Sequence, residues 1–155
     1  MEPIIDSPLD KKIPPLVKLL GYAGLIPFVG CAIAVWLNPP IPFNWLEALL
    51  TYGASILSFL GGLHWAFAML LKLSQGEKNY RYLWSVMPSL IAWVSFMLHP
   101  LEATVVLILG FLLQLWQDRI LRQSSQIPKW YFVLRYQLTL VASCSLISVL
   151  FFQIR

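Results

Sequence analysis

The stretch LEALLTYGASILSFLGGLHWAFAMLL, residues 46–71, decides how this chain folds. It opens on one carboxylate, Glu47, carries one histidine, His64, and has no lysine or arginine. A helix needs about 20 mostly apolar residues to cross about 30 Å of hydrocarbon. This run is long enough, and it lacks the strict alternation of a barrel strand. In lipid only a helix or a closed barrel satisfies every backbone N–H and C=O, so the run reads as a transmembrane helix.

Four more runs share this character: Leu16–Leu37, Tyr82–Leu98, Leu101–Ile120 and Phe132–Ile154. Of the 155 residues, 59% are apolar and 12% charged, against roughly 25% charged in a soluble domain. That composition excludes a water-soluble globular class. The predicted fold is all-α: an integral membrane bundle of five transmembrane helices, residues 16–155, preceded by a cytoplasmic tail at 1–15. The tail holds four prolines together with Asp6, Asp10, Lys11 and Lys12. No small-residue cleavage site follows the first run, so it is expected to stay as an uncleaved span.

Charge sets the direction. Lys11, Lys12 and Lys18 precede or open the first run; Lys72, Lys78 and Arg81 follow the second; Arg119, Arg122, Lys129 and Arg135 surround the link between the fourth and fifth. The links at 38–45 and 99–100 carry no lysine or arginine, and only Arg155 lies beyond the last run. The positive-inside rule then puts the N-terminus in the cytoplasm and the C-terminus outside. The net charge of +4 is used for orientation and is not laid out as a nucleic-acid face. The expected location is a bacterial inner membrane, or the mitochondrial inner membrane if the source is eukaryotic.

Small residues suggest the packing. Ala54, Ser58, Gly62 and Ala66 form a small-xxx-small ladder on the second span, which predicts a close helix contact. Pro27 and Pro88 predict kinks. Polar residues within spans face the bundle interior. That rule turns Gly110, Gln114, Gln117 and Asp118 inward on the fourth span, and Gln137, Val141, Cys144 and Ser148 inward on the fifth. Ser74-Gln75-Gly76-Glu77 reads as a flexible inner turn. Pro128 reads as the start of the last helix.

One place invites chemistry. His64 lies eight residues before Lys72, about 12 Å deep at 1.5 Å per residue. Tyr22, Ser85, Gln114, Asp118 and Gln137 fall in the same inner third. A hypothetical ligand pocket therefore gathers Tyr22, Gly61, Gly62, His64, Trp65, Ser85, Gln114, Asp118 and Gln137 around a His64–Asp118 interaction. The bland alternative is a histidine that hydrogen-bonds a neighbour and fixes packing. Arg119, Arg122, Lys129 and Arg135 form a second hypothetical set, suited to anionic lipid headgroups. His99 sits at the opposite boundary, about a bilayer core away, so no two-histidine metal site is expected. Cys31 and Cys144 read as buried hydrophobes. No motif for a catalytic metal, nucleotide, triad or redox pair is present, and no cofactor is expected.

The segments LGYAGLIPF (20–28), YGASILSFLGGLHWAFA (52–68), LWSVMPSLIAW (83–93) and IPKWYFVLRYQLTLVAS (127–143) resemble the membrane family labelled domain of unknown function 3429. That family is bacterial with mitochondrial relatives. The GGLHW segment places Gly61, Gly62, His64 and Trp65 on its motif, and Pro88 and Asp118 match as well. The resemblance implies a membrane fold and no known activity. Tryptophan-rich sensory proteins of the translocator family offer an analogy of size alone, because their tryptophan motif is missing here.

Three function classes remain. The first is a non-catalytic accessory or assembly factor, with membrane lipids and another membrane protein or complex as partners. The second is a protein that binds or transports a lipid, quinone or small molecule through the pocket around His64. The third is an intramembrane enzyme with His64 as acid or base. Reporter fusions within 72–81 and within 119–135 are expected to report the same side of the bilayer; opposite sides would overturn the topology.

Overall fold

A computed structural model describes residues 12–121 and 127–155. The described residues form six helices and no strand. They are α1 (Pro15–Ala23), α2 (Ile26–Leu37), α3 (Trp45–Leu70), α4 (Gln75–Ser95), α5 (Pro100–Leu121) and α6 (Lys129–Ile154). Most of the expected tail, and Arg122, lie outside the described residues. Four stretches are long and apolar enough to cross a membrane: Pro15–Leu37 (α1 with α2), α3, α5 and α6.

The first span is broken rather than bent. Pro27 has no N–H to offer the carbonyl one turn back, so α1 stops at Ala23 and α2 restarts at Ile26 with Pro27 in its first turn. Proline costs little there, because the first-turn N–H groups lack intrahelical partners anyway. α2 ends on Asn38, whose φ of 43° is left-handed, a conformation asparagine tolerates better than most residues. Asn44 then caps α3: its side chain accepts from the Glu47 N–H at 3.0 Å and donates to the Glu47 carboxylate at 3.0 Å.

α4 begins earlier than the sequence reading allowed. The segment 74–77, expected as a flexible turn, is its N-terminus. Ser74 accepts from the Glu77 N–H, and the Glu77 carboxylate accepts from the Ser74 N–H and hydroxyl, a reciprocal cap that holds the first turn. Those bonds from Ser74 hold the Glu77 carboxyl below its ordinary range. The cap is therefore complete above the usual carboxylate pKa and is lost as pH falls through the lowered value. Pro128, expected to start the last helix, is the residue on which α6 begins, at its N-cap.

The helices pack side by side. α3 is central and contacts α2, α4 and α5; α6 closes the bundle against α5 and α2. Phe28, Leu49, Leu57, Leu107, Phe111 and Leu146 fill the middle. Large apolar side chains, among them Trp36, Phe59, Trp65, Trp93, Trp116 and Phe151, cover the outside. A surface this apolar suits lipid tails and would aggregate in water.

The seam of α3 differs from the predicted ladder. Its buried stripe is Gly53, Ala54, Leu57, Leu60, Gly61, His64 and Ala68. Gly62 is exposed, and Ser58 and Ala66 are only half-buried. The ladder counted small residues alone, whereas this seam interleaves them with leucines. At Gly61 the backbone of α4 comes so close that a Cβ would lie 2.5 Å from the Ser85 carbonyl oxygen and 3.2 Å from Pro88. At Gly62 a Cβ would meet nothing within 4 Å. Gly61→Ala is thus expected to destabilise the bundle by about 1–3 kcal/mol, the usual cost of overpacking. Gly62→Ala is expected to be neutral or stabilising by up to about 1 kcal/mol through helix propensity. Thermal unfolding of the two variants in detergent distinguishes this seam from the ladder.

Candidate functional site: a buried ionic cluster

Asp118 stands on α5 three residues before its end and is 1% exposed. A carboxylate buried this deeply requires partners for both oxygens. Oδ2 accepts from Arg135 Nε of α6 at 2.8 Å, and Oδ1 lies 3.1 Å from His64 Nε2 of α3. On the other edge of the imidazole, Arg81 Nη1 of α4 is 3.5 Å from His64 Nδ1. A guanidinium only donates, so Nδ1 is the acceptor and the proton sits on Nε2, donated to Asp118. These partners favour one tautomer of the ring.

The network continues through glutamine side chains. Arg81 Nη1 also reaches the Gln117 carbonyl and Oε1, each at 3.5 Å. Gln117 Nε2 donates to the Tyr80 hydroxyl at 2.6 Å. The Arg81 guanidinium lies 5.5 Å from the Tyr80 ring centroid, within cation–π range. One turn deeper, Gln114 accepts from Trp84 Nε1 at 3.0 Å and donates toward the Leu60 carbonyl at 3.4 Å. Four helices, α3 to α6, thus meet at one polar knot. Among its described residues, two guanidiniums face one carboxylate.

The predicted site residues divide. His64, Gln114 and Asp118 share the knot. Ser85 is buried beside Gly61, but its hydroxyl donates to the Tyr82 carbonyl of its own helix at 2.7 Å. Trp65 is turned outward against Tyr82, with ring centroids 5.0 Å apart. Gly62 faces away from the bundle. Tyr22 and Gln137 pair with each other, the tyrosine hydroxyl donating at 2.6 Å. The face of α6 that carries Gln137, Cys144 and Ser148 is turned toward the first span: Trp36 Nε1 donates to the Ser148 hydroxyl at 2.8 Å. Cys144 itself is exposed rather than buried. Of the headgroup set, Arg119 and Lys129 are exposed, whereas Arg135 is 6% exposed and turned to Asp118.

Arg81 is the member that sequence reasoning missed, read only as a marker of the cytoplasmic side. Arg135 was expected at lipid headgroups rather than in the knot. A signal was available: each lies one helical turn before a buried hydroxyl residue, Ser85 and Thr139 respectively, on the inward face. Among the described residues no three His, Cys, Asp or Glu side chains are grouped to hold a metal.

The sequence comparisons rest on this same core. Residues 13–151 match the family described as Protein of unknown function (DUF3429). The chain belongs to that family. It is 37% identical to a protein named Transmembrane protein 69 from Xenopus tropicalis over 147 residues, which covers 90% of this chain and 55% of that one. It is 34% identical to Transmembrane protein 69 from Mus musculus over 149 residues, covering 92% and 57%. The chain thus spans about half the length of the curated relatives it matches. No solved structure matches. The match takes in the whole knot, from His64 to Arg135.

Removing one partner of a buried ion pair typically costs about 3–5 kcal/mol, because the other charge is stranded. Asp118→Asn keeps the shape and strands Arg135, so its free energy of unfolding in detergent is expected to fall by that amount, read as a lowered midpoint. Asp118→Asn with Arg135→Gln is expected to be less destabilised than the sum of the single variants by about 1–3 kcal/mol. Strict additivity would show that the pair is not energetically coupled.

Proposed function

We propose that this DUF3429 protein is a non-catalytic, multi-pass membrane protein that acts as an accessory or assembly factor for another membrane protein or complex. It crosses the bilayer five times, with its N-terminus on the cytoplasmic side, in a bacterial inner membrane or the corresponding mitochondrial one. The observation that carries the reading is the enclosure of the polar knot: His64 is 0% and Asp118 1% exposed. Groups sealed on all sides and bonded to one another hold helices together, while an acid–base residue must reach its substrate.

The fifth crossing is supported by geometry. α4 has 21 residues, about 31 Å at 1.5 Å per residue. Short links join it to α3 and α5, and it packs along both. Its low apolar content comes from its polar start, QGEKN, which fits a headgroup region. Arg119 and Lys129 at the same boundary suit an anionic leaflet.

The test separates chemistry at His64 from packing by it. His64→Gln retains an amide that can donate to Asp118. In a cell lacking the native gene, this variant is expected to support the same phenotype and the same co-purifying partners as the wild type. Loss of the phenotype with an unchanged unfolding midpoint would assign the function to the imidazole and overturn the accessory reading.

A further inference from the structure

A cleft of about 160 Å³ lies where the broken first span leans on α3, α5 and α6. Its walls include Gly24, Phe28, Ile56 and Phe59, and two polar residues of α6 line it, Arg135 and Thr139. These two stand one turn apart on the same face. Both are more than nine-tenths buried; Thr139 Oγ1 has no hydrogen-bond partner, and Arg135 Nη2 has none apart from the Tyr131 hydroxyl one turn back, which lies close to the guanidinium and is itself otherwise unpaired.

Several serine and threonine hydroxyls within these helices are satisfied locally. Ser55, Ser85, Ser95, Thr104 and Ser145 all donate to a carbonyl three or four residues back on their own helix, the ordinary way to satisfy a hydroxyl inside a span. Thr139 does not. The Arg135 guanidinium adds charge to the argument. Asp118 is shared by Arg135 Nε and His64, and Arg81 brings a second cation to the same knot. Two guanidiniums thus meet one buried carboxylate. Uncompensated charge at membrane depth is costly, and an anionic oxygen would offset it.

We infer that this cleft binds the anionic head of an apolar-tailed molecule, with Arg135 Nη2 and Thr139 Oγ1 as its donors. The head brings acceptor oxygens and a negative charge. The tail lies along Phe28, Ile56 and Phe59 and leaves toward lipid past Leu20 and Phe59, which are 63% and 65% exposed. The same chemistry is offered by a free fatty carboxylate and by the phosphodiester of an anionic phospholipid. The inference is independent of the accessory role, which concerns His64 and the outer faces.

The experiment uses the purified full chain in phosphatidylcholine nanodiscs, with oleate, methyl oleate and phosphatidylglycerol as probes and native mass spectrometry as the readout. One equivalent of oleate or of phosphatidylglycerol is expected to remain bound, and methyl oleate is not. Retention of oleate alone identifies a free carboxylate; retention of phosphatidylglycerol alone identifies a phospholipid. Thr139→Val removes one donor to a charged group without changing shape and is expected to weaken binding about tenfold. Ile56→Trp fills the cleft and is expected to abolish it; neither change touches the Asp118 pair. Equal retention of methyl oleate, retention of none of the three, or wild-type binding by both variants would overturn the assignment.

Discussion

The structure depends on one carboxylate that lipid will not solvate. Asp118 is buried, and each of its oxygens is held by a different helix, Arg135 of α6 at 2.8 Å and His64 of α3 at 3.1 Å. In an apolar solvent the alternative to these bonds is an isolated charge, which costs far more than any single packing contact. Dispersion and close packing hold most membrane helices together without a hydrophobic drive between them. Here an electrostatic constraint is added, and it fixes which helices are neighbours and at what depth they register.

The apolar packing is arranged around that register. Gly61 lets α4 approach α3 beside Ser85 and Pro88, and Gly110 does the same for α5 against Leu57 and Ile91. The knot lies toward one end of the bundle. Near the other end, Gln153 of α6 donates to the Thr104 hydroxyl of α5 at 2.9 Å, so these two helices are pinned at both levels. Between them the core is conventional, with Phe28 edge-on to both Tyr52 and Phe111.

Much of this was legible in the residues. Span lengths gave most of the helices and their order. Depth arithmetic brought His64, Gln114 and Asp118 to one level, because helices of fixed rise convert sequence distance into height. Azimuth was harder. The small-residue ladder favoured Gly62 over Gly61, since nothing in sequence distinguishes two adjacent glycines until the neighbouring helix is known. Gln137 was aimed at the knot but meets Tyr22 of the first span. The arginines were read by charge alone, Arg81 as a marker of orientation and Arg135 as a contact for lipid headgroups, and charge does not say which way a side chain turns. The Arg135–Thr139 cleft was beyond reach, because it exists only through the break after Ala23 and the lean of α1 on α6.

The knot also has a temporal meaning. Chains are made from the N-terminus, and their parts assemble in roughly that order. His64 and Arg81 leave the ribosome before Asp118, and Arg135 follows seventeen residues later. The acid therefore arrives in a bilayer where a ring nitrogen and a cation are already waiting. Arg135, the cation bonded directly to it, completes the pair only once α6 has been made.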